Sequence, residues 1–252
     1  MSIIGGTKMK QLCILAMFLC GFDMRTPDYR PKPPADVVNV SMSSVEKRVR
    51  DAAIKITVPF NGGHGSGSYL IYKDMHLVLT AQHVTNGPLG THYLASHKDE
   101  SRLGILIYSD PENDIALLYL SNEFKLTEPM RYNPFEEVAP VGEAIIYSGF
   151  PSHHKLMSFD GKIAGYAAVP GPNTGKHIIL YTYGWFGCSG SVIYSQKGKI
   201  VGVLYGVDVE YYPDIQVQEN MIWVVPINKL KIDNALKAFC LGYQGKTLKA
   251  CK

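Results

Sequence analysis

Three side chains in this sequence could together break an acyl bond. His83 lies in Leu79-Thr80-Ala81-Gln82-His83-Val84, Asp114 in Asn113-Asp114-Ile115-Ala116, and Ser189 in Gly187-Cys188-Ser189-Gly190-Ser191. A serine hydroxyl is a weak nucleophile until a neighbouring imidazole takes its proton. That imidazole in turn needs a carboxylate to fix its tautomer and stabilise its charged form. His83 ends an apolar run and precedes the turn Asn86-Gly87-Pro88, so it can be held at a rim and still reach a substrate. Asp114 directly precedes the apolar run 115–120, an unusual place for a charge that has no use. Gly187 lies two residues before Ser189, where the absence of a Cβ lets backbone N–H groups turn toward a developing oxyanion.

Taken singly, each feature has a plainer reading. Gly-x-Ser-Gly also makes ordinary turns, and an Asp before a strand is often a turn residue. Asp110 competes with Asp114, but Pro111 follows it and marks a turn. The other seven histidines fall in polar or turn-rich stretches or at strand starts and read as solvated. The order His, Asp, Ser adds weight, because the α/β-hydrolase order begins with Ser. The stretch after Ser189, SVIYSQKGKIVGVLYG, reads as strand, turn, strand rather than as the helix that a hydrolase elbow requires.

These residues need rigid elements to hold them. Short runs rich in Val, Ile, Leu and Tyr occupy 68–72, 76–80, 103–108, 115–120, 143–149, 162–169, 177–183, 191–195, 199–206 and 221–226, separated by Gly, Pro, Asn or Asp. That spacing predicts an all-β barrel or sandwich. Ser43-x-x-Glu46 is a capping box ahead of Val45, Val49, Ala52, Ala53 and Ile56, and predicts one short helix. Leu230, Leu236 and Phe239 predict a closing helix before Cys240.

The bulk composition excludes several classes. A net charge of +3, with acids and bases mixed along the chain, lacks the clustered basic footprint of a nucleic-acid binder. The five cysteines show no paired zinc spacing and no HExxH occurs, so neither a metal nor another cofactor is expected. Cys240 and Cys251 could form a bridge or stay free.

TAQHV, NDIALL and GCSGS resemble the TAAHC, DIALL and GDSGG motifs of the trypsin/chymotrypsin-like serine peptidases. The likeness runs over roughly residues 45–240. The short spacings from His83 to Asp114 and on to Ser189, with Gly65-Ser66-Gly67-Ser68, resemble HtrA-type and short bacterial or viral members, and no PDZ domain is expected. The resemblance implies two six-stranded Greek-key β-barrels, at about 43–135 and 136–240. The triad would lie between them, with an oxyanion hole at the N–H groups of Gly187 and Ser189. It places substrate-binding positions at Tyr183, Leu204, Tyr205, Gly206 and Val207.

The departures are also informative. Cys188 stands where the digestive enzymes carry the Asp that pairs with a freshly cut N-terminus. Ile3-Ile4-Gly5-Gly6-Thr7, which looks like such an N-terminus, is therefore read as a coincidence. Val84 removes a family disulfide, and Ser191 replaces a glycine. Tyr183 at the pocket base argues against Lys or Arg at P1, the residue before the scissile bond. The wall segment Leu204-Tyr205-Gly206-Val207 lacks the histidine of the glutamyl enzymes. An apolar or small P1 residue is the expectation.

Residues 12–22 form an apolar run behind Lys8 and Lys10, so 1–24 reads as a secretory signal or a membrane anchor. Residues 25–42 read as a Pro-rich linker. The expected protein is an exported serine endopeptidase acting on protein or peptide substrates, without nucleic acid. An inactive binding module on the same fold, or a viral or phage processing protease, remains open, as does the oligomeric state.

Overall fold

The computed structural model describes residues 41–58, 62–168, 175–211, 213–242 and 251. The signal-like segment and nearly all of the linker lie outside the described residues. Helix α1 (Ser44–Asp51) starts on the predicted box: Glu46 N–H donates to Ser43 Oγ at 3.2 Å, and Ser43 N–H donates to Glu46 Oε2 at 2.6 Å. The helix ends sooner than the apolar pattern predicts. Ala53 and Ile56 belong to strand β1 (Ala53–Thr57), not to the helix. Ile54 and Ile56, alternating and β-branched, are fully buried there, so burial with period two overrides the helical spacing.

The first barrel holds β1, β2 (His64–Tyr72), β3 (Met75–Thr80), β4 (His92–His97), β5 (Glu100–Asp110) and β6 (Ile115–Leu120). Its pairing order β1-β4-β5-β6-β3-β2 closes through β2 back onto β1, and the two-residue β7 (Met130–Arg131) adds in parallel beside β2. The second barrel closes in the order β10-β13-β12-β11-β8-β9. Its strands are β8 (Ala144–Gly149), β9 (Met157–Ala168), β10 (Lys176–Tyr181), β11 (Val192–Ser195), β12 (Ile200–Tyr211) and β13 (Ile215–Pro226). The expectation of two six-stranded barrels is met, with β7 as an addition.

Strand alternation builds both the barrel interior and the contact between barrels. Ile193 on β11 points into the second core with Ile145, Leu180 and Val201. Its neighbours Val192 and Tyr194 point the other way and join the first core. The Tyr194 hydroxyl is 2.7 Å from Ser68 Oγ in fully buried surroundings. Arg50 reaches from α1 to β9, donating to Ser158 Oγ at 2.8 Å and to the Leu156 carbonyl at 3.0 Å. Helix α2 (Ile232–Leu241) packs Ile232, Ala235 and Leu236 against the first core. Cys240 and Cys251 are joined in a disulfide.

Candidate active site

Position 83 is set by the end of β3. After Thr80 the chain enters a 3-10 turn, Gln82–Thr85, with Val84 and Thr85 buried. His83 is thereby left outward, its side chain 45% exposed beside an Asp114 side chain 23% exposed. Asp114 sits at the start of β6 with φ +50, a left-handed conformation that Asp tolerates better than most residues. It uses both carboxylate oxygens on one residue: His83 N–H donates to Oδ1 at 2.8 Å and His83 Nδ1 donates to Oδ2 at 2.7 Å. A carboxylate can only accept, so this pair puts the proton on Nδ1 and leaves Nε2 as the basic nitrogen.

Ser189 comes from the second barrel, on the loop between β10 and β11. Its carbonyl accepts the Ser66 N–H at 2.8 Å, which ties the serine to β2 of the first barrel. Gly190 lies tighter still, with φ +89. A Cβ there would stand 2.1 Å from the Ser66 carbonyl oxygen and 3.0 Å from the N of Ala81, two residues before His83. The loop carrying Ser189 therefore lies against the segment carrying His83. Among the described residues no hydrogen bond joins Ser189 Oγ to His83 Nε2.

Gly187 has φ +91, and a Cβ there would lie 2.4 Å from the Phe150 carbonyl oxygen. Glycine is required on both counts. The N–H groups of Gly187 and Ser189 find no protein acceptor among the described residues, whereas Cys188, Gly190 and Ser191 each donate to a carbonyl. Two neighbouring donors held open on a rigid turn can stabilise a negative oxygen.

Cys188 is fully buried, and burial pushes its thiol up. It stays protonated at neutral pH, so its chemistry is that of a packed side chain. The Tyr147 hydroxyl, raised well above its ordinary value mainly by burial, bonds to the Tyr183 carbonyl.

The pocket positions divide. Tyr183 is 39% exposed and tilts over Phe159 at 5.3 Å, and Phe159 stacks on Tyr147 at 4.9 Å. Leu204 is buried in the second core, and its main chain is occupied by Gly190 and Ser191. Tyr205, Gly206 and Val207 are half-buried along β12. Burial first, then the Asp114 charge, raise the Tyr205 hydroxyl, which lies 3.0 Å from His177 Nδ1. Sequence reasoning missed Ser66 as a site residue. Its only signal is a serine between two glycines on a strand that must be buried.

Comparisons with known proteins agree with this architecture. The family model described as "Trypsin-like peptidase domain" matches residues 65–203. A glutamyl endopeptidase of Staphylococcus epidermidis is 26% identical over 187 residues; the match takes in 67% of this chain and spans 64% of that relative's length. The Rv3671c protease of M. tuberculosis, in its active form, superposes with a TM-score of 0.60 at 18% identity, covering 81% of this chain and 86% of that one. The HtrA-type protease AlgW with a tripeptide gives 0.61 at 18%, covering 73% and 59%.

Proposed function

The chain belongs to the trypsin-like peptidase domain family, and from that premise we propose that it is a serine endopeptidase working through Ser189, His83 and Asp114. The observation that carries the reading is the doubly bonded His83–Asp114 pair, which frees Nε2 to act as base beside the Ser189 loop. Ser189 Oγ attacks the scissile carbonyl while His83 Nε2 takes its proton. The carbonyl oxygen becomes an oxyanion facing the N–H groups of Gly187 and Ser189. His83 then donates the proton to the leaving amine, and an acyl-enzyme remains. Water repeats the sequence with His83 again as base, and Asp114 stays ionised throughout.

An apolar or small P1 residue fits best. Tyr183 packs with Phe159 and Tyr147, and the charged side chain acting on it, Glu219, is an anion and not a cation. The segment Leu204-Tyr205-Gly206-Val207, where glutamyl enzymes carry a histidine, has none to pair with a substrate carboxylate. Residues 12–22 support export as the location. Digestion of a mixed peptide library, read by mass spectrometry, tests both the mechanism and the pocket. The expected cuts follow apolar or small residues and disappear in Ser189→Ala. Cuts mainly after Glu would overturn the pocket reading, and cuts that persist in Ser189→Ala would overturn the mechanism.

A further inference from the structure

The turn that carries Ser189 is held by its carbonyls. The Phe186 carbonyl accepts Ser152 N–H at 2.6 Å, the Cys188 carbonyl accepts Ser191 N–H at 2.9 Å, and the Ser189 carbonyl accepts Ser66 N–H at 2.8 Å. Each of these donors belongs to the main chain. The Gly187 carbonyl differs, because it accepts the Ser66 hydroxyl at 2.7 Å. The peptide group between Gly187 and Cys188 separates the two N–H donors that face the developing oxyanion. That linking peptide is held at its N–H end by the Cys188 N–H, which donates to the Trp185 carbonyl at 2.9 Å, and at its carbonyl end by one side chain.

Ser66 suits that task because its own orientation is fixed. Its hydroxyl accepts Phe150 N–H at 3.0 Å, so its single proton is left for Gly187. Its carbonyl accepts the Thr80 hydroxyl at 2.7 Å, three residues before His83. The residue is fully buried, so solvent does not substitute for a lost bond. At Gly187, with φ +91 and no Cβ, the barrier to turning a peptide over is lower than at any other residue type.

We propose that Ser66 is a positioning residue for the oxyanion hole: its hydroxyl locks the Gly187–Cys188 peptide so that the Gly187 and Ser189 N–H groups stay turned outward. The inference rests on Ser189 being the nucleophile. Without the hydroxyl, the half-buried Gly187 carbonyl loses its protein partner, and the Cys188 N–H bond to Trp185 is left to hold that peptide against turning over. The substrate would still bind, but the transition state would lose stabilisation.

The test compares wild type, Ser66→Ala and Ser66→Cys, the last keeping a weaker donor in nearly the same volume. Three quantities are read on each: kcat, KM, and affinity for a peptide aldehyde, whose adduct places an oxyanion in the hole. Loss of a direct oxyanion donor costs about 100- to 1,000-fold in kcat, so an indirect loss is expected at about 10- to 100-fold in Ser66→Ala. Aldehyde affinity should weaken by the same factor while KM stays within about twofold, with Ser66→Cys falling between. Unchanged kcat and aldehyde affinity in an active Ser66→Ala enzyme would overturn the proposal, as would a fall in kcat that aldehyde affinity does not follow. If Ser66→Ala does not fold, Ser66→Cys is compared with wild type instead. A parallel fall in kcat and aldehyde affinity then supports the proposal, and no change in either overturns it. An inactive wild type that binds no aldehyde would instead sink the serine-peptidase reading beneath it.

Discussion

His83 and Ser189 are held by opposite means. On the first barrel, one carboxylate grips both the backbone N–H and the ring of His83, and the side chain remains half exposed. On the second barrel, Ser189 rides on a turn fixed by main-chain hydrogen bonds, two left-handed glycines and a buried cysteine. The proposed base depends on the chemistry of a single partner. The proposed nucleophile depends on backbone shape. A change that alters one functional group should therefore be ruinous at Asp114 and mild at Cys188, although both lie next to the proposed chemistry.

The largest effect belongs to Asp114→Asn. An amide can still accept from one nitrogen of His83, but its NH2 group disfavours the tautomer that leaves Nε2 basic. By analogy with other triads kcat should fall by about 10⁴-fold, with the fold and melting temperature little changed. A loss under tenfold would mean that backbone shape, not the carboxylate, positions the histidine. Ser66→Ala stands between the extremes, because a side chain there fixes part of the backbone turn.

Cys188 marks the small end. Cys188→Ala should lower stability by about 1–2 kcal/mol, as expected for a vacated core position, and change kcat by less than about threefold. The native thiol should resist iodoacetamide at pH 8, since burial both raises it and blocks access, and should react once the chain is unfolded. Rapid alkylation of the folded protein with loss of activity would place Cys188 in the chemistry and erase the contrast.

How legible these features were in the sequence depends on how far each constraint reaches along the chain. The pairing of His83 with Asp114 and the closeness of the Ser189 loop were foreshadowed because each residue is flanked by apolar runs that announce a strand. Strand β1 was not, because Val45, Val49 and Ala52 continue into Ile56 with helical spacing until tertiary burial overrules it. Strand β4 hides its alternation: the buried positions are Tyr93, Ala95 and His97, and neither alanine nor histidine signals a core face. His97 is buried because its Nδ1 bonds the Ala53 carbonyl at 2.5 Å, a partner distant in sequence. The role of Ser66 is equally non-local, since its partners are Phe150 and Gly187. The Cys240–Cys251 bridge is decided by geometry that spacing alone does not supply.

The proposed mechanism makes Ser189 the nucleophile and His83 the group that activates it. Labelling with a fluorophosphonate probe, followed by peptide mapping of the adduct, tests it most directly. One adduct is expected, on Ser189, that forms readily in wild type and in Cys188→Ala, slows sharply in His83→Ala, and is absent in Ser189→Ala. An adduct that survives Ser189→Ala, or one lost only in Cys188→Ala, would contradict it.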